Sequence, residues 1–127
     1  MVVDLATGAA RPLGRRTKGT EGTWDLDEEA LAWGAGAALD GAAAGADLLI
    51  IDELGRLELR EGRGWGSCLG LLRDGIWQLA VASVREEYLD AFKTRLGAAA
   101  SRLEVVRVHQ GDREDLPARL LGACRDR

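Results

Sequence analysis

In the stretch "DLLIIDELGRLEL", residues 47–59, four apolar residues run straight into two carboxylates, Asp52 and Glu53, and then a glycine, Gly55. A strand that ends this way delivers acids to the edge of a sheet. There the first acid can hold magnesium, usually through water, and the second can orient or deprotonate an attacking water. An aspartate at a strand end can also simply cap the next loop, and the bare pattern weighs the two roles equally. If the ligand is a phosphate ester, the chain also needs backbone amides and a lysine to cradle it.

The other candidates each carry a plainer role beside the chemical one. Arg113 could contact a base or phosphate, or pair with Glu114 or Asp115 at a helix start. Ser83 sits where a strand-end hydroxyl can sense phosphate, although such serines usually bond within their own loop. Glu58 either supports the loop behind the acidic pair or faces solvent. His109 is the sole histidine and reads as a neutral edge residue rather than a general base. Arg11, Arg15 and Arg16 could approach a nucleotide, but they read first as a solvated basic hairpin. Trp24, Trp33, Trp65 and Trp77 are spread along the chain as packing residues. In "GRRTKGT", Gly14 to Thr20, Lys18 precedes Gly19 and no buried strand leads in, so this is an exposed turn and not a phosphate loop.

These residues need elements to position them. "MVVDLATGAARPLGRR" predicts a short strand, a turn at Thr7 and Gly8, and a return over Ala10 to Leu13, with Pro12 confining the second arm to an edge. "TKGTEGTW" reads as a loop. Asp25, three residues before Glu28, predicts a capped helix start, with Leu31, Ala35, Ala38 and Leu39 on one face and Gly34 and Gly36 weakening it. The unbroken apolar run over 47–51 suits a strand buried on both faces of a parallel sheet. "WGSCLGLLRDG" predicts a short helix with Leu69 and Leu72 inward, and "IWQLAVASV" a second buried strand. "REEYLDAFKTRLG" predicts a helix ended by Gly97, "LEVVRV" a third strand, and "DREDLPARLLGAC" a final helix with Pro117 in its first turn. Strands alternating with helices imply a mainly parallel, layered α/β sheet with ligands beyond the carboxyl ends of its strands. Asp52, Ser83 and Val84, and His109 to Arg113 should therefore converge.

At 127 residues and 46% apolar content, the chain fits one domain with an ordinary core. A net charge of −4 and the absence of a basic block argue against a nucleic-acid footprint. Cys68 and Cys124 form no CxxC pair, so neither a disulfide framework nor a structural zinc site is expected, and a reducing cytoplasm is the natural setting. No apolar run approaches the roughly 20 residues that span a bilayer, and no signal segment is visible, so a membrane location is not expected.

"IIDELGRLEL" resembles the Walker B segment of a family of small P-loop nucleoside-triphosphatases first described in thermophiles, which reads approximately "DEIGxMEL". Asp52, Glu53, Gly55, Glu58 and Leu59 match directly, and Leu54 and Leu57 replace the family's Ile and Met. "VVDLATGAARPLGRR" looks like that family's hairpin, "GTWDLDEEAL" is similar to the segment leading into its next helix, and "DREDLPARLL" resembles its "NRDxLP" element at Arg113, Leu116 and Pro117. The resemblance covers nearly the whole chain, although only "DELGRLEL" is specific enough to stand alone. It implies a three-layer α/β domain of P-loop type over 1–127, with an N-terminal β-hairpin. It also implies hydrolysis of a nucleoside triphosphate such as ATP or GTP, with Asp52 on magnesium, Glu53 activating water, and Arg113 and Gly55 at the nucleotide.

The family begins with a strand, a loop ending in Gly-Lys-Thr or Gly-Lys-Ser, and a helix, whereas this chain begins at the hairpin. The expected domain therefore lacks its first strand, phosphate loop and first helix, and the flanking strands should show open edges. Three expectations follow. The chain completes a triphosphatase whose phosphate loop comes from elsewhere, through a late start or a partner polypeptide. Alternatively it is a non-catalytic relative that binds a partner or a nucleotide. A third possibility is an assembly subunit whose exposed strand edge pairs with a copy of itself.

Overall fold

In a computed structural model of the chain, which describes residues 1–16, 24–43, 45–75 and 77–125, the first residues form the expected hairpin. Strand β1 (Val2–Val3) pairs antiparallel with β2 (Ala10–Arg11). Asp4 ties the turn: its carboxylate accepts from the Ala6 N–H at 2.9 Å and the Thr7 hydroxyl at 2.6 Å. Those bonds hold the Asp4 carboxyl below its usual range. A second ribbon, not expected from the sequence, follows: β3 (Gly14–Arg16) pairs antiparallel with β4 (Trp24–Leu26). Trp24, read as the end of a loop, is a strand residue. The rest of that loop, with Lys18 and Gly19 of the rejected phosphate motif, lies outside the described residues.

Because Asp25 is paired with Arg15 in the ribbon, it cannot cap the next helix. Asp27 does so instead, its Oδ1 accepting from the Ala30 N–H at 3.0 Å at the start of α1 (Glu28–Ala43). Leu31 and Ala35 are buried as the periodicity demands, while Ala38 is exposed. Gly34 costs helix propensity but is required by packing, since a Cβ there would meet both the Trp65 ring and the Val2 side chain at 2.7 Å. The position that weakens the helix is the one that lets the hairpin and Trp65 close onto it.

The expected parallel pairing is present. Strand β5 (Ala46–Leu54) runs parallel to β6 (Trp77–Val84). Between them lie α2 (Arg56–Leu59), a 3-10 turn (Gly64–Cys68) and α3 (Leu69–Asp74), in which Leu69 and Leu72 point inward as predicted. Beyond β6, a 3-10 turn (Glu86–Tyr88) opens α4 (Leu89–Leu96), which Gly97 ends with φ +57°. A further turn (Gly97–Arg102), another (Gln110–Arg113) and α5 (Leu116–Arg125) complete the described chain. The core gathers Leu54, Leu59, Leu69, Leu72, Tyr88, Phe92 and Leu96 against Leu49, Ile51, Ala80, Ala82 and Val84. The architecture is mixed α/β with small sheets, one of them a parallel pair.

Two sequence expectations fail, and they fail together. The apolar run of β5 predicts burial on both faces, yet Leu48 is 36% and Ile50 64% exposed, while Leu49 and Ile51 on the opposite face pack into the core. "LEVVRV" predicts a third strand, yet residues 103–108 pair with no strand among the described residues, and Val105, Val106 and Val108 are exposed. β-Propensity is realised only against a neighbour, and no described strand lies beside residues 103–108. "Mainly parallel" therefore describes one pair of strands and not the whole set, since the other two sheets are antiparallel ribbons.

Candidate functional site

The alternation of β5 would ordinarily send Glu53 into the core. Successive strand residues point to opposite faces, and Leu49 and Ile51 point inward, so Glu53 should follow them. An interruption in register prevents this. Ile51 pairs with Ala82 and Leu54 with Val84, so that Asp52 and Glu53 together stand opposite the single residue Ser83. This is a β-bulge, which is rare between parallel strands. It shifts the alternation by one residue, placing Leu54 in the core at 1% exposure and both carboxylates outside.

The bulge is bought with backbone strain and held by one hydroxyl. Glu53 has φ +59°, the sole positive value at a non-glycine among the described residues. For a side chain of this size the left-handed region costs about 1–2 kcal/mol. Ser83 compensates on both sides: its Oγ accepts from the Glu53 N–H at 2.6 Å and donates to Asp52 Oδ1 at 2.6 Å. Ser83 thus does not bond within its own loop; it reaches across the strand pair and bonds the acidic pair itself. Asp52 Oδ2 accepts no hydrogen bond from a described residue. Arg85, just beyond β6, donates from one guanidinium nitrogen to Glu53 Oε1 at 2.8 Å, with both side chains exposed. The Glu53 carboxylate beside it holds Arg85 firmly in its charged form.

Behind the acids, Glu58 is buried at 5% exposure and is no solvated charge. Its carboxylate accepts from the Gly55 N–H at 3.1 Å and the Trp65 N–H at 3.4 Å, which clamps the loop to α2 and to the 3-10 turn. Gly64 makes room for it: φ is +60°, and a Cβ would sit 2.6 Å from Glu58 Oε1. The Gly55 amide is thus already engaged, and an added Cβ there would meet nothing, so this glycine is not demanded by space.

The remaining candidates are not bonded to the acidic pair. Among the described residues, His109 to Arg113 makes no hydrogen bond or ion pair to Asp52, Glu53 or Ser83, and Arg107, just before this segment, pairs with Glu86 at 2.8 Å. Arg113 forms no ion pair with Glu114 or Asp115 among the described residues. His109 spends its amide on Asp112 at 2.7 Å, in a capping arrangement. Arg11 stacks over Trp33 and Trp77 donates to the Leu71 carbonyl, both packing roles, whereas Trp24 is exposed. Cys68 is buried, and burial pushes its thiol up. Sequence reading missed Arg85 and the bulge. A signal for the bulge was present, because Leu49, Ile51 and Leu54 cannot share one face of a regular strand.

No protein-family model, curated protein or solved structure matches this chain. Function has to be read from the residues and their geometry. Among the described residues, no group of three or more His, Cys, Asp or Glu side chains converges to hold a metal ion. Asp52 is exposed, and a carboxylate is a hard oxygen donor of the kind that magnesium takes together with water and substrate phosphates. No helix of the described residues is long and apolar enough to cross a membrane.

Proposed function

We propose that this chain carries the acidic half of a nucleoside-triphosphate hydrolysis site. It converts a triphosphate such as ATP or GTP to diphosphate and phosphate only when a phosphate loop is supplied from outside these residues. The reading is carried by one observation: two carboxylates displayed on a strained bulge at the carboxyl end of a parallel strand pair, where such sheets receive ligands. A residue that only ended the strand would not need a left-handed backbone.

In this reading Asp52 would hold magnesium, its Oδ1 kept in place by Ser83. Bound magnesium supplies neutralising charge to the phosphates. Glu53 accepts a proton from the attacking water at a carboxylate oxygen, and Glu58 fixes the loop on which both acids stand. Arg113, in no ion pair with a described residue, is the candidate for the nucleotide, whereas the Gly55 amide is already held by Glu58. The exposed Leu48 and Ile50 and the 103–108 segment, which pairs with no described strand, support the reading of a three-layer sheet completed by a further strand and helix.

Phosphate release is the test. The purified chain with magnesium and ATP or GTP should turn over negligibly. A strand, loop and helix segment carrying a Gly-Lys-Thr phosphate loop, added in trans or fused, should restore turnover that Glu53→Gln abolishes. Robust hydrolysis by the chain alone, lost in Glu53→Gln, would refute the division of labour. Absence of any calorimetric heat with magnesium and ATP, in the completed protein as well, would leave a pure interaction module. The exposed valines of 103–108 favour one competing reading, an assembly subunit that pairs through this edge; a monomer mass unchanged by concentration would remove it.

A further inference from the structure

Among the described residues, Arg85 is the one cation in contact with either acid of the bulge. Its contact with Glu53 is single: one guanidinium nitrogen to one carboxylate oxygen, 2.8 Å apart. A guanidinium carries five N–H donors in a planar fork, so most of this one's donors remain unspent. Both side chains are well exposed, at 65% for Arg85 and 69% for Glu53, and an exposed pair of this sort contributes little to stability. Exchanging its partner is correspondingly cheap. The backbone at Arg85 is extended, and the residue lies immediately beyond β6, at the same edge as Asp52. Arg107, by contrast, pairs with Glu86, the residue after Arg85.

We propose that Arg85 is a phosphate-binding residue of the site: it exchanges Glu53 for a phosphate group of the bound polyphosphate, and the exchange frees the Glu53 carboxylate for water. This rests on the hydrolytic reading given above and adds a partner and an order of events. A phosphate offers a fork-shaped, multiply charged acceptor that matches the guanidinium better than one carboxylate oxygen does. With no polyphosphate present, Glu53 Oε1 is taken up by Arg85. When the phosphate draws the guanidinium away, that oxygen becomes available, so water activation is tied to ligand occupancy. The left-handed backbone of Glu53 and its amide bond to Ser83 keep the carboxylate in place when its partner leaves. The strain at Glu53 thereby gains a use: the acid is positioned by its own backbone and needs no arginine to hold it.

The test is nuclear magnetic resonance of the full chain, titrated with magnesium tripolyphosphate. The side-chain Nε–H of Arg85, the Glu53 carboxylate carbon and the amides of 52–54 and 83 are followed. We expect the Arg85 signal to shift with the same saturation as those amides, and the Glu53 carboxylate to move toward its position in Arg85→Ala. Arg85→Ala should weaken binding about tenfold, the scale of one charge-assisted hydrogen bond, and Arg85→Lys should restore only part of it. Amides that respond while Arg85 stays still, or an unchanged affinity in Arg85→Ala, would overturn the role of Arg85 and leave the acidic site standing. Amides that do not respond at all, in the chain completed by the Gly-Lys-Thr segment as well, would overturn the site and Arg85 together. Glu53→Gln with a normal Arg85 shift would support the exchange by showing that the phosphate, and not the acid, governs where Arg85 goes.

Discussion

Replacing Glu53 tests whether the acid is held against the preference of its own backbone. At φ +59° an alanine bears the same left-handed cost as glutamate, about 1–2 kcal/mol, whereas glycine bears none. Glycine in turn gives the unfolded chain more freedom, which offsets about 0.5–1 kcal/mol. Both substitutions remove the contact with Arg85, so that contribution cancels between them. Glu53→Gly should therefore be more stable than Glu53→Ala by about 0.5–1 kcal/mol. With a urea dependence of about 1.5 kcal/mol per molar, the midpoints should separate by roughly 0.5 M. Urea unfolding followed by tryptophan fluorescence reads this directly, provided the slopes of the two variants agree. A Glu53→Ala chain equal to or more stable than Glu53→Gly would refute the strained bulge, and with it the main structural support for a displayed acidic pair. The predicted order also means that glutamate is not the residue stability favours here, as expected where strain serves a site.

Two further outcomes follow from the same region. Glu58→Ala leaves the Gly55 and Trp65 amides without their acceptor in a part-buried loop, and should cost about 2–3 kcal/mol in a denaturation curve; a loss below about 0.5 kcal/mol would show that Glu58 does not clamp the loop. Burial raises the Cys68 thiol above its ordinary value of 9.0, so the folded chain keeps this proton more tightly than the unfolded one. Its contribution is whole below 9.0 and declines as pH rises above that value, so the wild-type melting temperature should fall more steeply from neutral to alkaline pH than that of Cys68→Ala.

The helices were the most legible part of the sequence. Leu69 and Leu72, Tyr88 and Phe92, and Leu31 and Ala35 are buried where a 3.6-residue period puts them, because that period follows from backbone geometry alone. Helix starts were less legible: Asp25 and Asp27 are both competent caps, and the β3–β4 ribbon engages one of them. The strands divided along the same line. The parallel pair over 46–54 and 77–84 forms as its apolar runs predict, while "LEVVRV" pairs with no described strand. A strand requires a neighbour, and no residue within the segment itself can supply one.

The acidic pair shows the same division within a few residues. The sequence alone placed Asp52 and Glu53 at the end of an apolar strand and so at the edge of a sheet, because chain direction and hydrophobic runs are local properties. Only the tertiary structure decided that the two acids share one side. That outcome depends on Ser83, some 30 residues away, filling the place opposite both, and on Leu54 claiming the core position that Glu53 would otherwise occupy. Arg85 became part of the site for the same reason. Nothing in its immediate sequence marks it, and it meets Glu53 only because two strands 31 positions apart in register lie side by side.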